Sequence, residues 1–132
     1  MENRIMKYLI NSPLRVPVSS KKDFILNLNN YRNTHCQTLN KAKKNYKAVV
    51  AEQVLRLPVF DKITVKFKLF SKTKRLTDIP NVLAIHDKFF ADSLVEFGRL
   101  SDDNYLYWLS SLYEFGEVDK DNPRVEITIT TE

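Results

Sequence analysis

Residues 62–104 read KITVKFKLFSKTKRLTDIPNVLAIHDKFFADSLVEFGRLSDDN, and two periodicities meet inside them. Over 62–70 the apolar residues alternate: Ile63, Val65, Phe67 and Leu69 share one face, and Thr64, Lys66, Lys68 and Phe70 the other. That is the pattern of a strand with one buried side. The turn SKTKR breaks it at 71–75. From residue 77 the period becomes helical, with Thr77 or Asp78 as N-cap, Pro80 tolerated in the first turn and Gly98 as the stop. A strand feeding a helix through a basic turn predicts an α/β fold.

The flanks extend that unit. Segment 4–10 (RIMKYLI) reads as a short strand ended by Asn11, Ser12 and Pro13, and 23–28 (DFILNL) as another. The polar stretch 29–35 (NNYRNTH) has little periodicity and reads as a loop. Leu39, Ala42, Tyr46, Val49, Val50 and Val54 recur at helical spacing from Thr38 to Leu55, with Pro58 closing that helix. Segment 104–115 is aromatic-rich and reads as a strand, with a helix as the alternative; its Tyr105, Tyr107, Trp108, Tyr113 and Phe115 suit the core first and a dimer contact second. After a turn, 124–130 alternates with Val125, Ile127 and Ile129 inward. The expected order is β(β)αβαββ: one domain over 1–132, two main helices on a mixed sheet.

Composition narrows the classes. The chain has 132 residues, 43% apolar and 28% charged, which is ordinary for a globular domain. No apolar run of about 18 residues exists to cross a membrane, and no signal-peptide pattern opens the chain. Cys36 is the single cysteine, so no internal disulfide or cysteine-based zinc site is possible, and a cytoplasmic setting is expected. The net charge of +5 hides an asymmetry: residues 1–75 carry 17 Lys/Arg against 4 Asp/Glu, and residues 76–132 carry 4 against 12. A basic half suits a polyanion, because each cation placed on a phosphate releases a counterion. An acidic half suits a metal ion or a second subunit.

The acids of the helix carry the chemical question. On a helical wheel Asp78, Asn81, Lys88 and Asp92 fall within about 80° of arc, while Asp87 sits on the far border of the apolar face. Each has a plain structural reading. Asp78 suits an N-cap, Lys88 and Asp92 an i,i+4 pair, and Asp102-Asp103 a turn. His86 suits a packed core position, and Asn29-Asn30 punctuates a turn. Together, several carboxylates and a lysine near a basic sheet also suit a metal-dependent phosphodiesterase, since carboxylates hold Mg²⁺ and a lysine offsets charge on a phosphate.

Several segments resemble the RusA family of Holliday junction resolvases. NLNNYRNTH at 27–35 is similar to the family's N-terminal segment, KRLTDIPN at 74–81 to its basic turn and acidic helix start, and KFFADSLVEFGRLSDDN at 88–104 to its lysine helix and aspartate doublet. PRVEITI at 123–129 is similar to its last strand. The resemblance implies a RusA-like fold and a homodimeric, Mg²⁺-dependent endonuclease that nicks four-way DNA junctions in symmetric pairs, in a phage or prophage setting. It implies Asp78 and Asp103 as metal ligands, with Asp87 or Asp102 completing the set, and Lys88 assisting catalysis. Asn30, Arg32, Lys41, Lys44, Lys66, Lys68, Lys72, Lys74 and Arg75 are the expected DNA contacts. One departure stands out. The family's Asp-x-Asp-Asn appears as Asp78-Ile79-Pro80-Asn81, one helical turn further from Lys88 than usual. Aligned on Asp78 and Asn81, Ala84 would take the lysine's place. A second reading is therefore a catalytically inactive relative that only binds nucleic acid or protein.

Overall fold

A computed structural model describes residues 5–131. Its strands are β1 (Lys7–Ser12), β2 (Arg15–Pro17), β3 (Asp23–Ile25), β4 (Ile63–Ser71), β5 (Trp108–Val118) and β6 (Arg124–Thr131). Its helices are α1 (Leu28–Asn33), α2 (Cys36–Leu55) and α3 (Ile79–Glu96). The main sheet has the order β1-β6-β4-β5, with β4 and β5 parallel and the other pairs antiparallel. β2 and β3 form a separate two-stranded ribbon. No helix among the described residues is long and apolar enough to cross a membrane.

The alternating strand behaves as its pattern requires. Ile63, Val65, Phe67 and Leu69 of β4 are buried, and so are Val125, Ile127 and Ile129 of β6 beside them. Helices cover that face. α2 packs on β1 and β2, while α3 lies over β4 and β5 and against α1 and α2. Tyr46, Phe67, Phe89 and Phe90 fill the space between the layers as the largest fully enclosed side chains. Phe89 is the meeting point, with ring centroids 6.2 Å from Phe24, 6.4 Å from Tyr31 and 5.5 Å from Tyr46.

The structure amends the expected order in several places, among them the unforeseen strand β2 and the run of β5 to Val118, into the stretch expected as a turn. Among the described residues there are three helices, because 28–33 is α1 and not loop. Asn27 caps it, its Oδ1 accepting from the Asn30 amide at 2.7 Å. Six residues are too few to display a helical period, so the cap was the only local signal. The strand expected over 23–28 ends at Ile25 because Asn27 turns the chain. β1 runs on through Asn11 and Ser12, paired to Glu126 and Val125; Arg4, the first residue of the expected strand, lies outside the described residues. β5 begins at Trp108, after a turn in which the Asn104 carboxamide accepts from Leu106. Within that segment Tyr107, Trp108 and Tyr113 pack on the core, whereas Tyr105 and Phe115 are exposed.

The ends of α3 are set by different devices. Asp78 occupies the N-cap position but its side chain caps nothing; Pro80, with its fixed φ and no N–H to satisfy, shapes the first turn instead. At the other end Gly98 takes φ +70°, and the Arg99 amide reaches back to the Leu94 carbonyl at 2.8 Å. A left-handed residue at that position closes a helix cheaply only as glycine.

Candidate functional site

The N-terminus of α3 opens onto a cleft lined by Ile25, Asn27, Asn29, Arg75, Asp78 and Asn81. An adjoining apolar hollow shares Ile25, Asn27 and Arg75 and adds Leu14, Leu69 and Lys72. The β4–α3 loop supplies the cations, α1, its cap and α3 the amides, and the N-cap of α3 the single carboxylate. Asn30 does not point there. Its carboxamide donates to the Ile25 carbonyl at 2.9 Å, which ties α1 to β3 and gives the expected DNA contact a structural task.

The remaining acids gather elsewhere. Asp103 lies beside Asp92, Glu96, Asp102 and Lys47, around the C-terminal half of α3. Fourteen helical residues separate Asp78 from Asp92, a rise of about 21 Å. The structure therefore places Asp78 and Asp103 near opposite ends of one helix and does not bring them together. Asp87 lies near enough to Asp103 to feel its charge, but its carboxylate is already engaged. It faces β5, where the Tyr113 hydroxyl donates to its Oδ2 at 2.6 Å. Among the described residues no group of three or more His, Cys, Asp or Glu side chains is arranged to hold a metal ion. Within a single chain, the set Asp78, Asp87 and Asp103 does not fit Mg²⁺.

Electrostatics agree with those placements. Burial pushes the Asp87 carboxyl up from the ordinary carboxylate value, hydrogen bonds from Tyr113 and Ser111 draw it back, and the Asp103 charge raises it again. Tyr113 is itself pushed up, first by burial and then by donating to Asp87. Asp102 is held low chiefly by hydrogen bonds from Asp103. Its carboxylate accepts from the Asp103 amide at 2.8 Å and from Asn104 at 2.9 Å, so it shapes the turn. Asp103 is raised by partial desolvation and by sharing its surroundings with the Asp102 and Asp92 carboxylates.

The cations fall into four groups. Arg32, Lys41 and Lys44 are exposed on α1 and α2. On α2 and α3, Lys43 and Lys88 each place Nζ 5.7 Å from the Tyr31 ring centroid. Lys88 forms no ion pair with Asp92 among the described residues; Glu96 instead pairs with Lys47 at 2.7 Å. On the open face of the sheet, Lys66 and Lys68 share Glu114 at 3.5 and 3.3 Å, which offsets part of their charge. Lys72, Lys74 and Arg75 are exposed in the β4–α3 loop.

Sequence reasoning passed over Asn27 and Tyr31. The first was visible as a polar residue ahead of a short helix. The second is an aromatic flanked by cations that come from distant helices, so no local pattern could mark it. No family model matches the chain, and no curated protein matches it.

Proposed function

We propose that this chain binds branched DNA as a homodimer; the Mg²⁺-dependent junction cleavage that the RusA resemblance also implies would need carboxylates beyond the set Asp78, Asp87 and Asp103 of one chain. The carrying observation is the cleft at the start of α3. There Arg75 lies with Asn29 and Asn81, and Lys72 lines the adjoining hollow. Cations placed along a surface engage phosphate oxygens, and amides add hydrogen bonds without demanding a base sequence. Recognition by shape fits a binder of four-way junctions better than one of a fixed sequence.

A second reading has its own support. Pro80 stands where the family carries an aspartate, and Asp78 is separated from Asp103 along α3. Both observations favour a relative that binds without cutting, and both bear on cleavage alone.

The deciding experiment incubates the purified protein with a mobile four-way junction and a matched linear duplex, in Mg²⁺ and in EDTA. Paired nicks on the junction, dependent on Mg²⁺, are the expected result; Asp103→Asn should then abolish cutting and leave binding intact. Binding without cuts in Mg²⁺ or Mn²⁺ would establish the inactive relative, and equal affinity for the linear duplex would rule out a preference for branched DNA. Binding also has an expected salt signature. Replacing Lys72, Lys74 and Arg75 together by alanine should flatten the slope of log K against log salt by about 3, at roughly 0.9 for each phosphate no longer neutralised. A slope unchanged by the triple variant would take that loop out of the interface.

A further inference from the structure

The four-stranded sheet ends at β5, which among the described residues pairs only with β4. Edge strands invite pairing with another chain, and proteins usually blunt them with lysine, proline or inward charges. β5 is 11 residues long, WLSSLYEFGEV, and holds no lysine or proline. Its blunting devices are two irregularities in the β4 register, one at each end of the strand, which leave the stretch from Ser110 to Phe115 regular.

The apolar residues left in solvent have a pattern. Within β5, Leu109, Leu112, Phe115 and Val118 are 43, 56, 48 and 38% exposed. Leu109 and Phe115 are symmetric about Leu112. An antiparallel pairing of β5 with a second β5, centred on a two-fold axis at Leu112, would therefore oppose Leu112 to Leu112 and Leu109 to Phe115. Directly opposite residues share a face of the sheet, so each match joins apolar to apolar. The same register sets Glu114 against Ser110 and Tyr113 against Ser111. Centring on Glu114 would oppose the two glutamates, a destabilising arrangement. Centring on Tyr113 would set Leu112 against Glu114 and Leu109 against Glu117. Of these registers, only the one through Leu112 is complementary in both charge and polarity.

We infer that β5 is a self-pairing edge that joins two copies of this chain into a continuous eight-stranded sheet through the Leu112 register. The inference rests on the homodimer reading above and locates its interface. α3 covers β4 and β5, and two strands span about 10 Å, close to the usual spacing of packed helices. The two α3 helices would consequently stand as antiparallel neighbours over the joined sheet, with no gap between the helix layers.

The test is sedimentation of the full chain, 15.5 kDa per copy, as wild type and as Leu112→Arg. The wild type is expected as a dimer. Leu112→Arg places two guanidinium groups on the axis and should weaken association by about 100-fold or more, with the circular dichroism spectrum unchanged. Leu9→Arg, on the exposed face of the opposite edge strand β1, should leave the dimer intact. A Leu112→Arg dimer as tight as the wild type would overturn this interface and leave the homodimer standing. A monomeric wild type would remove both. Mild oxidation of Leu112→Cys in a Cys36→Ser background gives an independent reading. Facing positions of this kind lie within disulfide reach, so a covalent dimer is expected; its absence would also overturn the register.

Discussion

Phe89→Ala should destabilise the protein by about 3–5 kcal/mol, the usual loss for truncating a fully packed phenylalanine. Phe89 is 2% exposed and comes from the middle of α3. Its ring meets Phe24 of the β2–β3 ribbon, Tyr31 of α1 and Tyr46 of α2. Removing it opens a cavity where four elements converge, and none of them can collapse into it without disturbing the other three. Stability of a domain this size is about 5–15 kcal/mol, so the loss is a large share of the total. Urea titration of the variant against the wild type measures it. A change below about 1 kcal/mol would show that the ring is not the junction of these elements.

Acidification should destabilise the fold through a single buried histidine. His86 is fully enclosed; its Nδ1 lies 2.7 Å from Ser12 Oγ, which in turn lies 2.6 Å from Tyr46 Oη, and its Nε2 has no partner among the described residues. Ring protonation would leave a charged N–H with nothing to bond, so burial lowers the His86 pKa from 6.5 to about 3. The sign follows from linkage. The unfolded chain takes up a proton near the ordinary value while the folded chain stays neutral. The stabilising contribution is therefore complete above about pH 6.5 and is lost as pH falls toward about 3. The slope should approach about 1.4 kcal/mol per pH unit for this one group. Urea midpoints from pH 7 to pH 4 test it in wild type and in His86→Leu. The leucine variant sacrifices the bond to Ser12 and should lose most of the slope. An equal slope in both proteins would assign the pH response to the carboxylates.

The same residues show what could be read in advance. Alternation fixed β4 and β6 because each buries one face against helices, and the core histidine followed from its place within the apolar arc of α3. Asp87 looked misplaced on the border of that arc, and its reason is the Tyr113 hydroxyl. That reason needs β5 laid parallel to β4, a tertiary fact with no local trace. The helical wheel gathered Asp78 and Asp92 on one stripe because a wheel discards rise, and the separation along α3 is what parts them. α1 stayed hidden because six residues make fewer than two turns. The exposure of Phe115 and Leu112 was hidden as well, since nothing local distinguishes an edge strand from a central one.

The position of β6 has a consequence in time. It is the last strand in chain order, yet it lies between β1 and β4, with Ile127 opposite both Ile10 and Phe67. The first strand consequently has no partner in the main sheet until the last one arrives, and β4 keeps one open edge for as long. Pairings so distant in sequence pay for loop closure before they return any stabilisation, which places folding in the slower range of small domains, about milliseconds to seconds. During synthesis the helices and the β2–β3 ribbon can form early, while closure of the sheet waits for residues 124–131 to emerge.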